Sequence, residues 1–141
     1  MSKNKKITFI DLFAGIGGFH EALNGFGNAK CVFASEIDKD AATVYKLNFG
    51  IDPAGDITQI TAEEIPSFDL LCAGFPCQPF SKAGYWVTHK NRLGSEDPRN
   101  MIGQYLRIIE ELQPDGFLLE NIESLLHPKN TQAVTDLKEA I

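Results

Sequence analysis

The chain has 141 residues, enough for one domain with a real core, and its 43% apolar and 23% charged composition is that of an ordinary globular protein. No apolar run approaches the roughly 20 residues that span a bilayer. The basic start, Met1 to Lys6, runs into a strand bearing Asp11 rather than a signal core, so the expectation is an intracellular, cytoplasmic protein with no membrane partner. The net charge of −6 argues against nucleic-acid binding through bulk charge. Locally, Lys82, Lys90, Arg92 and Arg99 outnumber Glu96 and Asp97. Three cysteines, an odd number without metal-ligand spacing, exclude a disulfide framework and a zinc site, and no metal is expected.

In chain order, residues 7–13 read as a first strand, apolar almost throughout and so covered on both faces. The turn Ala14-Gly15-Ile16-Gly17-Gly18 leads into a helix with Phe19, Ala22, Leu23 and Phe26 at helical spacing, punctuated by Gly25 and Gly27. Residues 30–37 read as a second strand. Asp38 caps a helix that carries Ala41, Val44, Tyr45 and Phe49 inward and stops at Gly50. A short third strand is predicted around Asp56-Ile57, then one turn capped by Thr61. Residues 69–75 form the fourth strand, and residues 79–98 a long polar loop, a length that suits a functional lid. A helix near 99–112 turns Met101, Ile102, Tyr105, Leu106 and Ile109 to one face. Residues 116–122 are a fifth strand, and a last helical pattern carries Val134, Leu137 and Ile141. Strands alternating with helices predict an α/β fold, a doubly wound, mostly parallel sheet, with no internal repeat or linker.

Three constellations carry chemistry. The glycine turn opens a helix, whose N-terminus favours an anion, and glycines allow close ligand approach. The spacing Gly15-x-Gly17-Gly18 is not G-x-G-x-x-G, and a plain tight connection is the alternative. Glu36, about 18 residues beyond the glycines, stands where nucleotide-type folds place an acid on ribose hydroxyls. Asp56, ending the predicted third strand, could accept from an exocyclic amine or serve only its turn. Gly74-Phe75-Pro76-Cys77-Gln78-Pro79-Phe80-Ser81 presents a thiol between two prolines at the end of a strand, where open α/β sheets bind ligands. Glu120-Asn121-Ile122 ends the fifth strand, predicted to neighbour the fourth, so Cys77 and Glu120 share one sheet edge as nucleophile and acid.

The stretches Asp11-Leu12-Phe13-Ala14-Gly15-Ile16-Gly17-Gly18-Phe19, Pro76-Cys77-Gln78-Pro79 and Glu120-Asn121-Ile122, in this order, resemble the DNA (cytosine-5)-methyltransferase family. The resemblance implies a Rossmann-like fold that binds S-adenosylmethionine and yields S-adenosylhomocysteine. It places Phe13, Gly15, Gly17, Gly18 and Pro76 around the cofactor, with Glu36 on its ribose, Ile37 on its adenine, and Asp56 and Ile57 at the adenine amino edge. It makes Cys77 the nucleophile toward C6 of cytosine and Glu120, followed by Asn121, the group that protonates the base. The base is flipped out of double-stranded DNA to reach them. The 82–99 segment, with Tyr85 and Trp86, is the loop expected to close over the base.

Members of that family continue past this point with an arginine-bearing motif, a target-recognition domain and a segment that returns to the cofactor pocket. The expectation is therefore one partial catalytic domain over residues 1–141, inactive alone. Its partner is either the missing C-terminal part or a complementing subunit. The setting is a prokaryotic modification enzyme of a restriction-modification system. A tRNA-directed branch of the family and a non-catalytic cofactor-binding module are the alternatives.

Overall fold

The structure, a computed structural model, describes residues 5–74, 101–121, 123–128 and 131–139. Four strands, β1 (Ile7–Leu12), β2 (Ala29–Ser35), β3 (Leu70–Ala73) and β4 (Gly116–Leu119), form one sheet in the order β2-β1-β3-β4. Every pairing is parallel, as the alternation of elements predicts. The helices are α1 (Gly18–Gly25), α2 (Lys39–Phe49), α3 (Ile102–Leu112) and α4 (Thr131–Glu139), with 3-10 turns at Ile57–Gln59, Ala62–Glu64 and Glu123–Leu126. The chain forms two compact units. One comprises residues up to Gly74 together with Leu112–Leu119, and so holds the whole sheet with α1 and α2. The other holds α3 as far as Glu111, the last 3-10 turn and α4.

β1 is the centre of the sheet because its side chains suit burial on both faces. Phe9, Ile10, Asp11 and Leu12 are all closed to solvent. On one face Phe9 packs with Cys31 and Cys72, covered by Phe19 and Leu23 of α1. Tyr45 and Phe49 of α2 pack with Ala14 and Ala34. At the amino end, the Asp69 carboxylate accepts from Thr8 N (2.7 Å), Thr8 Oγ1 (2.9 Å) and Lys5 Nζ (3.1 Å), tying the start of β3 to β1. At the carboxyl end the chain leaves β1 toward β2 on one side, while β3 lies on the other. That reversal makes the end of β1 a topological switch point, where open α/β sheets hold ligands.

Local signals act as the sequence predicts at several ends. Asp38 Oδ1 accepts from Ala41 N at 2.8 Å and starts α2. Gly50, at φ 70°, ends it in the left-handed conformation that glycine adopts without strain. The Glu64 carboxylate reaches back to Thr61 N at 2.8 Å and closes the predicted turn.

Other expectations need correction. The predicted third strand is one isolated bridge, Ser35 to Ala54, and then a 3-10 turn. Asp56 Oδ1 accepts from Thr58 N, so the backbone curls instead of extending. α1 stops at Gly25, one residue before Phe26, which stands 80% exposed at the cap; Ala22 is exposed too. The buried α1 residue is His20. On α2, Val44 faces outward and Tyr45 is fully buried. On α3, Ile108 is buried alongside Tyr105 and Ile109. The first strand ends at Leu12 because Phe13 has φ 54°, which no strand residue adopts.

Candidate functional site

The turn after β1 concentrates left-handed backbone. Phe13, Gly15 and Gly17 have φ of 54°, 55° and 101°. A phenylalanine in the left-handed region is strained, and such strain concentrates at ligand sites. At Gly17 a Cβ would stand 2.1 Å from Phe49 Cε2, so only glycine fits there. Gly15 has open space around it and needs glycine for its φ alone.

The turn is held by β2 and by the segment leading from β2 to α2. Ala14 N donates to Ser35 O (3.0 Å), and Gly17 N to Ala14 O (2.9 Å). Gly15 N donates to Glu36 Oε2 at 2.7 Å, while Glu36 Oε1 accepts from Asp38 N at 2.8 Å. These N–H groups are therefore taken from within the protein. An anion entering at Ala14, Gly15 or Gly17 would find those N–H groups occupied. Each Glu36 oxygen keeps an acceptor position for a ligand hydroxyl. Glu36 N donates to Ala54 O (3.0 Å), which brings the segment bearing Asp56 to the same edge. Ile37, next to Glu36, is 71% exposed and offers an apolar surface. Ile57 is buried, so its side chain belongs to the core.

Beneath the turn lies a polar cluster. Asp11 is 1% exposed, and its Oδ1 has no hydrogen-bond partner. Its Oδ2 is 3.4 Å from the Tyr45 hydroxyl, which lies 2.7 Å from His20 Nδ1 and 3.6 Å from Cys31 Sγ. The His20 ring stacks on Phe49 at 4.0 Å, the same ring that backs Gly17. Burial pushes the Asp11 carboxyl up to about 7; the Tyr45 hydroxyl pulls it down and Glu36 pushes it further up. Burial lowers His20 and raises Tyr45. Burial, then Asp11, push the Cys72 thiol up to about 12, and burial raises Cys31 also. Neither buried thiol has the thiolate character of a nucleophile.

Pro76 and Cys77 lie outside the described residues, as does the 82–99 segment. β3 and β4 end side by side, with Ala73 opposite Leu119. The predicted neighbourhood of those two strands is thus present, and the chain runs on from β3 toward Cys77 and from β4 into Glu120, which is exposed, and half-buried Asn121. Beside the glycine turn, Ile16, Gly17, Gly18, Glu21, Asn48 and Phe49 line an open hollow of about 430 Å³.

Sequence reasoning missed Asp11, His20 and Phe49 as parts of this site. Asp11 had a signal, since a carboxylate inside a near-continuous apolar strand is costly to bury. His20 and Phe49 had none beyond helical spacing.

The sheet order, the glycine turn at its switch point and the acid after β2 define a Rossmann-like α/β domain of the methyltransferase type. The family model for C-5 cytosine-specific DNA methylase matches residues 7–141, and the chain belongs to that family. Type II methyltransferase M.BsuFI of Bacillus subtilis is 50% identical over 127 residues, covering 89% of this chain and 29% of its own length. M.HhaI of Haemophilus parahaemolyticus is 42% identical over 143 residues, covering 99% of this chain and 42% of its own. The crystal structure of the S. pombe Dnmt2 methyltransferase superposes with a TM-score of 0.71 at 25% identity, covering 96% of this chain and 41% of that one. The chain thus spans well under half the length of these relatives.

The residues present fit the cofactor that this family implies. The cradle at Gly17 admits no side chain, the Glu36 carboxylate suits a pair of hydroxyls, and Asp11 keeps an uncompensated acceptor beneath the turn.

Proposed function

We propose that this chain is the cofactor-binding and nucleophile-bearing part of an enzyme that methylates C5 of cytosine in double-stranded DNA. The observation that supports it most is the family match over residues 7–141, a span that includes Cys77 and Glu120. Phe13, Gly15, Gly17, Gly18, Glu36, Ile37, Asp56, Ile57 and Pro76 would hold S-adenosylmethionine. When bound, it supplies an electrophilic methyl group and leaves as S-adenosylhomocysteine.

The chain's own residues supply the activation. C5 of cytosine is a poor nucleophile in the aromatic ring. The Cys77 thiolate forms a bond to C6, Glu120 gives a proton to N3, and the electron density moves to C5. Asn121 is the neighbour that orients Glu120. After methylation the C5 proton leaves to solvent, the S–C6 bond breaks and restores the thiolate, and N3 returns its proton to Glu120. The base must leave the duplex stack for Cys77 to reach it. The setting is the cytoplasm of a prokaryote, in a restriction-modification system, consistent with the type II names of the relatives. Among the described residues no helix is long and apolar enough to cross a membrane. Recognition of the DNA site and the rest of the base pocket belong to a C-terminal part or a complementing subunit.

The test is adduct trapping on 5-fluorocytosine, in which fluorine blocks loss of the C5 substituent. The protein completed by its C-terminal part, given tritiated cofactor, is expected to form a denaturation-resistant adduct with duplex DNA and none after Cys77→Ser. Persistence of the adduct in Cys77→Ser overturns the assignment of the nucleophile. Adducts on RNA alone overturn the DNA substrate and favour the tRNA-directed alternative.

A further inference from the structure

The buried cluster beneath the glycine turn joins three titratable side chains. Asp11 on β1, Tyr45 on α2 and His20 on α1 form one chain of polar atoms, 3.4 Å and 2.7 Å apart. It can hold its protons in two ways. With Asp11 neutral, the carboxyl O–H donates to Tyr45 O, and Tyr45 O–H donates to His20 Nδ1. With Asp11 ionised, Tyr45 O–H donates to Asp11 Oδ2, and His20 Nδ1–H donates to Tyr45 O. The first holds one proton more than the second: as Asp11 ionises, a proton passes along the chain and leaves from His20 Nε2 to solvent, so the charge on Asp11 and the tautomer of His20 change together.

We propose that Asp11 is a specificity-determining group whose charge, set by this proton chain with Tyr45 and His20, makes the glycine turn prefer a cationic ligand over its neutral counterpart. The proposal rests on the reading of that turn as the cofactor site. Asp11 is closed to solvent and acts as a positioning residue through the field it sets up, not by contact.

Three observations carry it. Asp11 Oδ1 is buried and unpartnered, and the Tyr45 hydroxyl and His20 backbone that act on the carboxylate are neutral, so an ionised Asp11 meets no counter-charge from them. Glu36, bonded to the turn at Gly15, is a second carboxylate, and the ion pairs found among the described residues involve neither acid. Buried charge is poorly screened, so its effect reaches the adjoining turn. The groups that face Asp11 are His20 on α1, with Glu21 beside it, Cys31 on β2, Glu36 after β2, Tyr45 on α2 and Cys72 on β3. Cys31, Cys72 and Tyr45 are pushed up and His20 is lowered, so these four stay uncharged near neutrality. Asp11, pushed up to about 7, is the buried group whose charge changes there. S-adenosylmethionine and S-adenosylhomocysteine differ by one methyl and the sulfonium charge, so they are a matched pair of probes.

Both probes are titrated calorimetrically onto the intact protein between pH 5.5 and 7.5, alongside Asp11→Asn and Tyr45→Phe. The affinity ratio in favour of the sulfonium is expected to rise about three- to tenfold with pH in the unsubstituted protein. It should stay flat in Asp11→Asn, where the ligands' own ionisation is unchanged. In Tyr45→Phe, which removes a donor to the ionised form, the rise should move to higher pH. A flat ratio in the unsubstituted protein, or the same rise in Asp11→Asn, overturns the proposal. Ring-nitrogen NMR of His20 gives a readout free of ligand: the tautomer is expected to change with the Asp11 carboxyl titration, and a constant tautomer overturns the proton chain. If neither probe binds at any pH while the tautomer changes, the cofactor reading fails and the proton chain stands.

Discussion

Gly15 and Glu36 lie 21 residues apart, and the N–H of the first donates to Oε2 of the second across 2.7 Å. The other oxygen of the same carboxylate holds Asp38 N, the N-cap of α2. One side chain thus sets both the turn after β1 and the start of α2, and does so with acceptor positions to spare. Glu36→Ala leaves two backbone donors without their partner. A stability loss of about 1–2 kcal/mol is expected by urea unfolding. On the proposed ribose contact of Glu36, S-adenosylhomocysteine binding should fall further than stability does, because that contact would be lost as well. Glu36→Gln should keep one of the two backbone bonds and lie between.

Gly17 and Gly15 should respond differently to alanine. Both incur the left-handed penalty of about 1–2 kcal/mol. Only at Gly17 does the new methyl collide with Phe49, which is itself stacked on His20. Gly17→Ala is expected to lose at least about 1 kcal/mol more than Gly15→Ala in thermal or urea unfolding. Phe49→Leu should relieve part of that difference, and a double-mutant cycle measures the coupling. Strict additivity of the two changes would remove the claimed contact.

Asp11 makes stability fall as pH rises. Its folded pKa of about 7 lies above the ordinary 3.8, so between those values the unfolded chain binds fewer protons than the folded one. The penalty is absent below the lower value and complete above the upper. Asp11→Asn should therefore gain on the unsubstituted protein from pH 4 to pH 7 and hold a constant difference beyond. The gain expected is on the order of 2–4 kcal/mol, read from melting curves at a series of pH values.

Asp69 works in the opposite sense. Bonds from the Thr8 backbone, the Thr8 hydroxyl and Lys5 pull its carboxyl down to about 2 from 3.8. Its contribution is present above the ordinary value and is lost as pH falls through 3.8 toward 2. Asp69→Asn should shrink the acid sensitivity of unfolding in that window and leave the neutral-to-alkaline profile alone. Equal acid sensitivity in both proteins would show that the β1–β3 tie does not operate through this charge.

The thiols should separate by environment. Cys31 and Cys72 are buried and shifted upward, so alkylation at pH 8 should spare them in the folded protein and reach them only in denaturant. Mass spectrometry of digested samples locates the label. Rapid labelling of Cys72 under native conditions would contradict its burial between β1 and β4.

Legibility followed the range of each signal. The parallel sheet is legible because apolar runs and glycine punctuation recur strand by strand. The caps at Asp38, Thr61 and Gly50 are legible because each acts within four residues of itself. The strand expected around Asp56 does not form because Asp56 satisfies Thr58 N locally and so curls the chain. Phe26 and Val44 fit a helical face by spacing, but α1 ends too soon and α2 is rotated to bury Tyr45. His20 carries no local signal of burial, yet it is buried because Tyr45, Phe9 and Phe49 enclose it.

By itself the sequence determined the family, the parallel α/β sheet, the glycine turn and the acid after β2, because these rest on residue types and spacings along the chain. Cys77 and Glu120 stand as proposals on the same footing. Only the tertiary structure decided what holds the turn: Glu36 on Gly15, Phe49 behind Gly17, and Asp11, Tyr45 and His20 beneath. Those partners come from four separate elements or connections. Their proximity depends on how β1, β2, α1 and α2 pack, and no local pattern encodes a distance between them. The same packing gives Asp11 its raised pKa, since burial depends on everything that surrounds a group rather than on its neighbours in sequence.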